Sequence, residues 1–105
     1  MKSGRLSDLQ RQILLLALQD NQLHVEAWMV LHRVYGFPLH DTTGVRFNWG
    51  EIGLRRYMAA TVAVCKSLNR LAVRGFGERV PNRGLFLTPK GLKEAQRIRS
   101  ESQSG

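Results

Sequence analysis

The chain has 105 residues, enough for one small domain around a single core and too few for a separate ligand domain beside it. Hydrophobic residues make up 43%, an ordinary globular share that excludes disorder as the default. The formal net charge of +8 points to an anionic partner.

Residues 1–6 read as a loose leader. Arg5, Asp8 and Arg11 break up any apolar stretch there, so no secretory signal is expected. Ser7, with Gln10 three residues on, has the spacing of a capping box and opens a helix from Asp8 to about Gln19, stopped by Asp20-Asn21. Leu9, Ile13, Leu16 and Ala17 form one stripe of that helix, and Leu14, Leu15 and Leu18 widen it. A helix so apolar is buried on more than one side, either at the centre of its own domain or against a second subunit. Ile13 to Leu18 is the longest uncharged apolar run and is far too short to cross a membrane.

Val25 to Tyr35 reads as a second helix, ended by Gly36 and Pro38. Residues 36–50 form a long connection. Within it Val45, Phe47 and Trp49 alternate with Arg46 and Asn48, which allows a short extra strand near residues 45–49 that pairs with a later ribbon. A third helix follows, starting at Glu51 or at Tyr57 and running to Arg74, with Gly75 as its cap. Cys65, the single cysteine, falls inside it as a buried structural thiol, which fits a reducing, cytoplasmic setting. Phe76–Val80 and Leu85–Leu87 are the strands of a hairpin around the turn residues Pro81-Asn82-Arg83-Gly84. Thr88 caps a last helix, with Pro89 at its first position. Leu92, Ala95 and Ile98 are its apolar stripe. The expected architecture is mainly α with a small β-hairpin: a single domain over residues 1–100 and a frayed tail over 101–105.

The positive charge is one-sided. Residues 1–54 hold five Lys/Arg against five acids, whereas residues 55–105 hold eleven against only Glu78, Glu94 and Glu101. Clustered charge of this kind is the footprint of a phosphate-binding surface. No strongly apolar amphipathic face accompanies it, as membrane binding would want. A major groove admits one α-helix, which needs small residues where the backbone approaches and long donors where it reaches bases. The outward face of the third helix offers Ala59, Ala60 and Ala63, then Lys66, Ser67 and Arg70. Arg79, Asn82 and Arg83 make the hairpin basic, and Arg55 and Arg56 stand where they could anchor phosphates on the other side. The expected contact set is therefore Arg55, Arg56, Ala63, Lys66, Ser67, Arg70, Arg79, Asn82 and Arg83.

From Val64 to Leu92 the chain resembles winged-helix DNA-binding domains, particularly MarR- and PadR-like regulators. The resemblance is carried by Leu68-Asn69-Arg70-Leu71, Arg74-Gly75-Phe76 and Thr88-Pro89-Lys90-Gly91. It implies a winged-helix fold, a transcription regulator acting on double-stranded DNA, and a homodimer formed through the first and last helices. One departure stands out: about twenty residues separate Tyr35 from the clear part of the third helix, where such domains have a short turn. The competing reading is a winged helix whose basic face meets RNA or an acidic protein.

Catalysis finds no support. His24, His32 and His40 recur every eight residues, which is not a ligand spacing on one helical turn, and no thiol or carboxylate cluster joins them. No metal, cofactor or catalytic residue is expected.

Overall fold

The computed structural model describes residues 5–40, 47–81 and 83–104. Helix α1 spans Asp8–Gln19 and opens on the anticipated capping box. Ser7 Oγ accepts from Gln10 N at 3.2 Å, and Gln10 Oε1 accepts from Ser7 N at 3.0 Å. Two of the orphan amides at the helix start are thereby satisfied. Ile13, Leu14 and Ala17 are fully buried on its inner face.

The next element departs from the sequence reading. His24–Val25 is a short strand, β1, and helix α2 begins only at Ala27 and runs to Arg33. Strand β1 pairs antiparallel with a strand some sixty residues on, His24 opposite Phe86 and Val25 opposite Leu85. A two-residue strand has no periodicity to read, and its partner is remote in sequence.

Residues 47–49 are not in a strand. Positions 41–46 lie outside the described residues, and the rest of that stretch turns into a helix. Asn48 caps the one-turn helix α3, Trp49–Ile52, its Oδ1 accepting from Gly50 N at 3.0 Å and Glu51 N at 3.3 Å. The alternation that resembled a strand reflects aromatic packing instead. Phe47 is buried 5.6 Å from the Tyr57 ring and 6.4 Å from Phe37, and Trp49 lies 6.0 Å from Tyr57.

Gly53, at φ 101°, separates α3 from α4, Leu54–Val73. The long helix therefore starts at Leu54, between the two expected start points, and a separate turn of helix, with Glu51 inside it, precedes the break. Strands β2 (Gly77–Val80) and β3 (Gly84–Leu87) form the hairpin, with Glu78 opposite Phe86 and Arg79 opposite Leu85. The sheet order is β1-β3-β2, all antiparallel.

Helix α5 spans Pro89–Ser104, four residues past the point where fraying was expected. Thr88 Oγ1 accepts from Gly91 N at 3.1 Å and donates to Gly75 O at 2.5 Å, so one hydroxyl caps α5 and receives the end of α4. Gly91 has no room for a side chain, since a Cβ there would lie 1.7 Å from the carbonyl oxygen of Phe76. Helix α5 packs along α1 and buries Ala95 and Ile98. Its apolar stripe is therefore occupied within the subunit. The core between the helices and the sheet is built from Ile13, Val30, Leu68, Leu71, Leu85 and Ile98, each almost fully buried.

Candidate nucleic-acid interface

Helix α4 carries Arg55, Arg56, Lys66 and Arg70 and no acidic residue along its 20 positions. At 1.5 Å per residue it is about 30 Å long. Ala60, Val64, Ser67, Leu68 and Leu71 face the core. The opposite arc is exposed and holds Arg55, Ala59, Lys66 and Arg70 together with Met58 and Val62.

The sequence reading had this face rotated by part of a turn. Ser67 is 9% exposed and Ala60 is 5% exposed, so both belong to the core side and not to the outward face. Their spacing with Val64 and Leu71 follows the inner stripe, and their small size let them pass for groove-facing residues. Ala63 sits half-buried at the edge of the arc, and Cys65 is likewise only half-buried instead of enclosed. Met58, Val62 and Asn69 take the outward positions that the reading had given to smaller residues.

Arg55 and Arg56 lie in the first turn of α4, not before the helix. The Arg56 guanidinium stands 5.1 Å from the centre of the Phe37 ring, in cation–π range, which ties the inserted connection to the helix. Arg55 is exposed.

On the hairpin, Arg79 and Arg83 are both exposed, and Asn82 lies outside the described residues. Arg79 Nη1 donates to Asn69 Oδ1 at 2.7 Å, joining strand β2 to the last turns of α4. Arg83 N donates to Val80 O at 3.0 Å, and Arg83 O lies 2.5 Å from His24 Nε2. Since a carbonyl only accepts, that His nitrogen carries the proton. His24 stacks at 4.6 Å on Phe86, its Nε2 3.3 Å from Glu26 and its Nδ1 3.9 Å from Asp20. His24, for which the sequence suggests no ligand or catalytic role, thus fastens the hairpin turn to β1. His32 has a comparable role, with Nδ1 2.8 Å from Phe37 O at the end of α2.

Lys90 was also missed. Its Nζ donates to Arg74 O at 2.9 Å, answering a carbonyl at the end of α4, and stands 4.9 Å from the Phe76 ring centre. The Arg74 guanidinium stands 5.1 Å from the same ring. A lysine one residue after a Pro at a helix start was the available signal.

Basic groups also gather between α1 and the C-terminal end of α4. A cleft of about 420 Å³ there is lined by Arg5, Ser7, Gln10, Asn69, Arg70, Val73 and Arg74, with no acid among them. Acidic partners are instead found on α5, where Arg97 pairs with Glu94 and Glu101. The hydrogen bond from Arg97 holds the Glu94 carboxyl below its ordinary value, and Glu94 in turn raises the Arg97 guanidinium. Among the described residues no group of His, Cys, Asp and Glu is placed to hold a metal ion, and no helix is long and apolar enough to cross a membrane.

Helices α1 and α2 with strand β1 between them, the long helix α4, a hairpin closing a three-stranded sheet and the last helix α5 define a winged-helix fold. Here α3 is an added turn before the long helix. The transcriptional regulator MntR of Salmonella typhimurium is 52% identical to the chain over 40 residues, which is 38% of this chain and 26% of the regulator. MntR of Salmonella typhi matches to the same extent. The matched stretch therefore spans about a quarter of the length of these relatives. No protein-family model matches the chain, and no solved structure does.

Proposed function

We propose that the protein binds duplex DNA and regulates transcription, with α4 in the major groove and the β2–β3 wing against the backbone or minor groove beside it. The observation that carries this reading is an acid-free helix whose basic outward face continues, through the Asn69–Arg79 hydrogen bond, into the Arg79 and Arg83 wing. Lys66 and Arg70 are one turn apart and reach the same groove. Arginine suits a guanine edge bidentately, and lysine suits phosphate. Arg55 supplies a phosphate contact at the opposite end of the helix. The partial identity with a transcriptional regulator supports the same assignment, and the MarR- and PadR-like motif residues at the end of α4 and the start of α5 fit it.

Such regulators read two half-sites when they are dimeric, about 34 Å apart. In this reading the surface left for a second copy is the outer face of α1, where Leu15 and Leu16 line a shallow groove with Gln12, Gln19, Arg33 and Val34.

A mobility shift on random-sequence duplex DNA at low salt tests the proposal. Retardation that falls steeply with salt and is lost in the Lys66→Ala/Arg70→Ala double variant is the expected result. No retardation at low salt, or retardation indifferent to those two changes, would overturn it.

A further inference from the structure

Leu54, Met58, Val62, Lys66 and Arg70 stand four residues apart in succession and form a single row along α4. Its C-terminal half is basic and its N-terminal half is apolar. Leu54, Met58 and Val62 are 53%, 56% and 51% exposed, so three large apolar side chains stand side by side in solvent. Single exposed hydrophobic residues are ordinary, but three in one line on the most basic element of the molecule are not explained by packing. They make no contribution to the core, which α4 meets through its opposite face.

We infer that Met58 and Val62, with Ala59 beside them, read the 5-methyl groups of thymine in the major groove, giving the protein a preference for T-containing steps. The inference rests on the proposed DNA-binding reading and adds the class of base that the helix recognises. Thymine alone presents a methyl group on the major-groove floor, and apolar side chains are its natural partners. Recognition helices place their N-terminal residues on base edges, and the N-terminal half is the apolar half of this row. The charge around the row commits it to a nucleic-acid occupant: Arg55 stands next to its first residue, Lys66 and Arg70 are its C-terminal half, and no acid interrupts the helix. The nearby acids, Glu51 and Glu78, lie off α4 on α3 and β2.

The experiment compares fluorescence anisotropy of one labelled AT-rich duplex carrying thymine with the same duplex carrying deoxyuridine. Both have identical phosphates and hydrogen-bonding edges, and they differ only in the methyl. The expected result is weaker binding to the deoxyuridine duplex by about fourfold for each methyl covered. The Met58→Ala/Val62→Ala variant, whose changes are confined to exposed positions, should lose most of the difference between the two duplexes and keep its salt dependence. Equal binding of both duplexes by the unaltered protein, with binding still lost in Lys66→Ala/Arg70→Ala, would overturn the methyl reading and leave the DNA reading standing. Failure to bind either duplex at low salt would overturn the DNA reading itself. A self-association that disappears in Met58→Ala/Val62→Ala, with no difference between the duplexes, would assign the row to a second copy of the chain and likewise overturn the inference.

Discussion

Arg79 on the wing donates from Nη1 to Oδ1 of Asn69 on α4, 2.7 Å away and ten residues earlier in the chain. The bond sets the angle between the two elements that would meet DNA together. Its two partners also do different work, because only Arg79 carries charge. Arg79→Ala should weaken duplex binding and lower the slope of log affinity against log salt by about one. Asn69→Ala should weaken binding through loss of the wing's alignment while the slope stays unchanged. Titrations of both variants at several salt concentrations check the pair.

Lys66 and Arg70 are exposed and have neutral or basic neighbours along α4, so their removal should not disturb the fold. Each alanine variant should melt within about 0.5 kcal/mol of the parent, as surface changes do. Each should also cost about 1 kcal/mol or more in duplex affinity. Ser67→Ala is the contrasting change. Ser67 is buried, so the variant should leave affinity within about twofold of the parent, a change of only a few tenths of a kcal/mol. Thermal melts alongside anisotropy titrations separate these outcomes.

Gly91 sits under the Phe76 carbonyl with no space for a methyl group. Gly91→Ala must push the start of α5 away from the end of α4. Forced overpacking of this kind costs about 3 kcal/mol, and urea unfolding should show it as a lower midpoint with an unchanged m-value.

The Glu94–Arg97 pair gives the acid limb a sign. The carboxyl titrates lower in the folded protein than its ordinary value of 4.5, chiefly because Arg97 donates to it. The unfolded chain therefore binds the proton more readily. The resulting stabilisation is fully present above the unfolded value and is lost as pH falls through the lower, folded value. Glu94→Gln should be less stable than the parent at neutral pH, with the gap closing below pH 4.5. Melting both proteins across that range measures it.

The parts of the fold that were readable in the sequence are those written locally. Ser7 and Gln10 announce α1 because a capping box needs only four consecutive residues. Gly75 and the Thr88–Gly91 run announce the end of one helix and the start of another for the same reason. Strand β1 could not be read, because His24 and Val25 become a strand only by meeting Phe86 and Leu85. Phe47 and Trp49 misled because aromatic residues packed around Tyr57 can alternate without being a strand. Within the candidate site, the exposure of Arg55, Lys66, Arg70, Arg79 and Arg83 was legible from their charge. The facing of α4 was harder: small residues such as Ser67 and Ala60 fit equally well under a sheet or against a groove, and only the packing decides. Asn48, a strong helix-capping residue before Trp49, was a usable signal for α3.

The joint between α4 and α5 has a mechanical consequence. Thr88 bonds Gly75 and Phe76, Lys90 bonds Arg74, and Gly91 rests on Phe76. The two ends of the hairpin are thus clamped together at its root, leaving no hinge there about which the wing could swing. Adjustment to a curved or irregular surface must come from the tip, through the long side chain of Arg83, while the base, with Arg79 bonded to Asn69, moves only as one piece with α4.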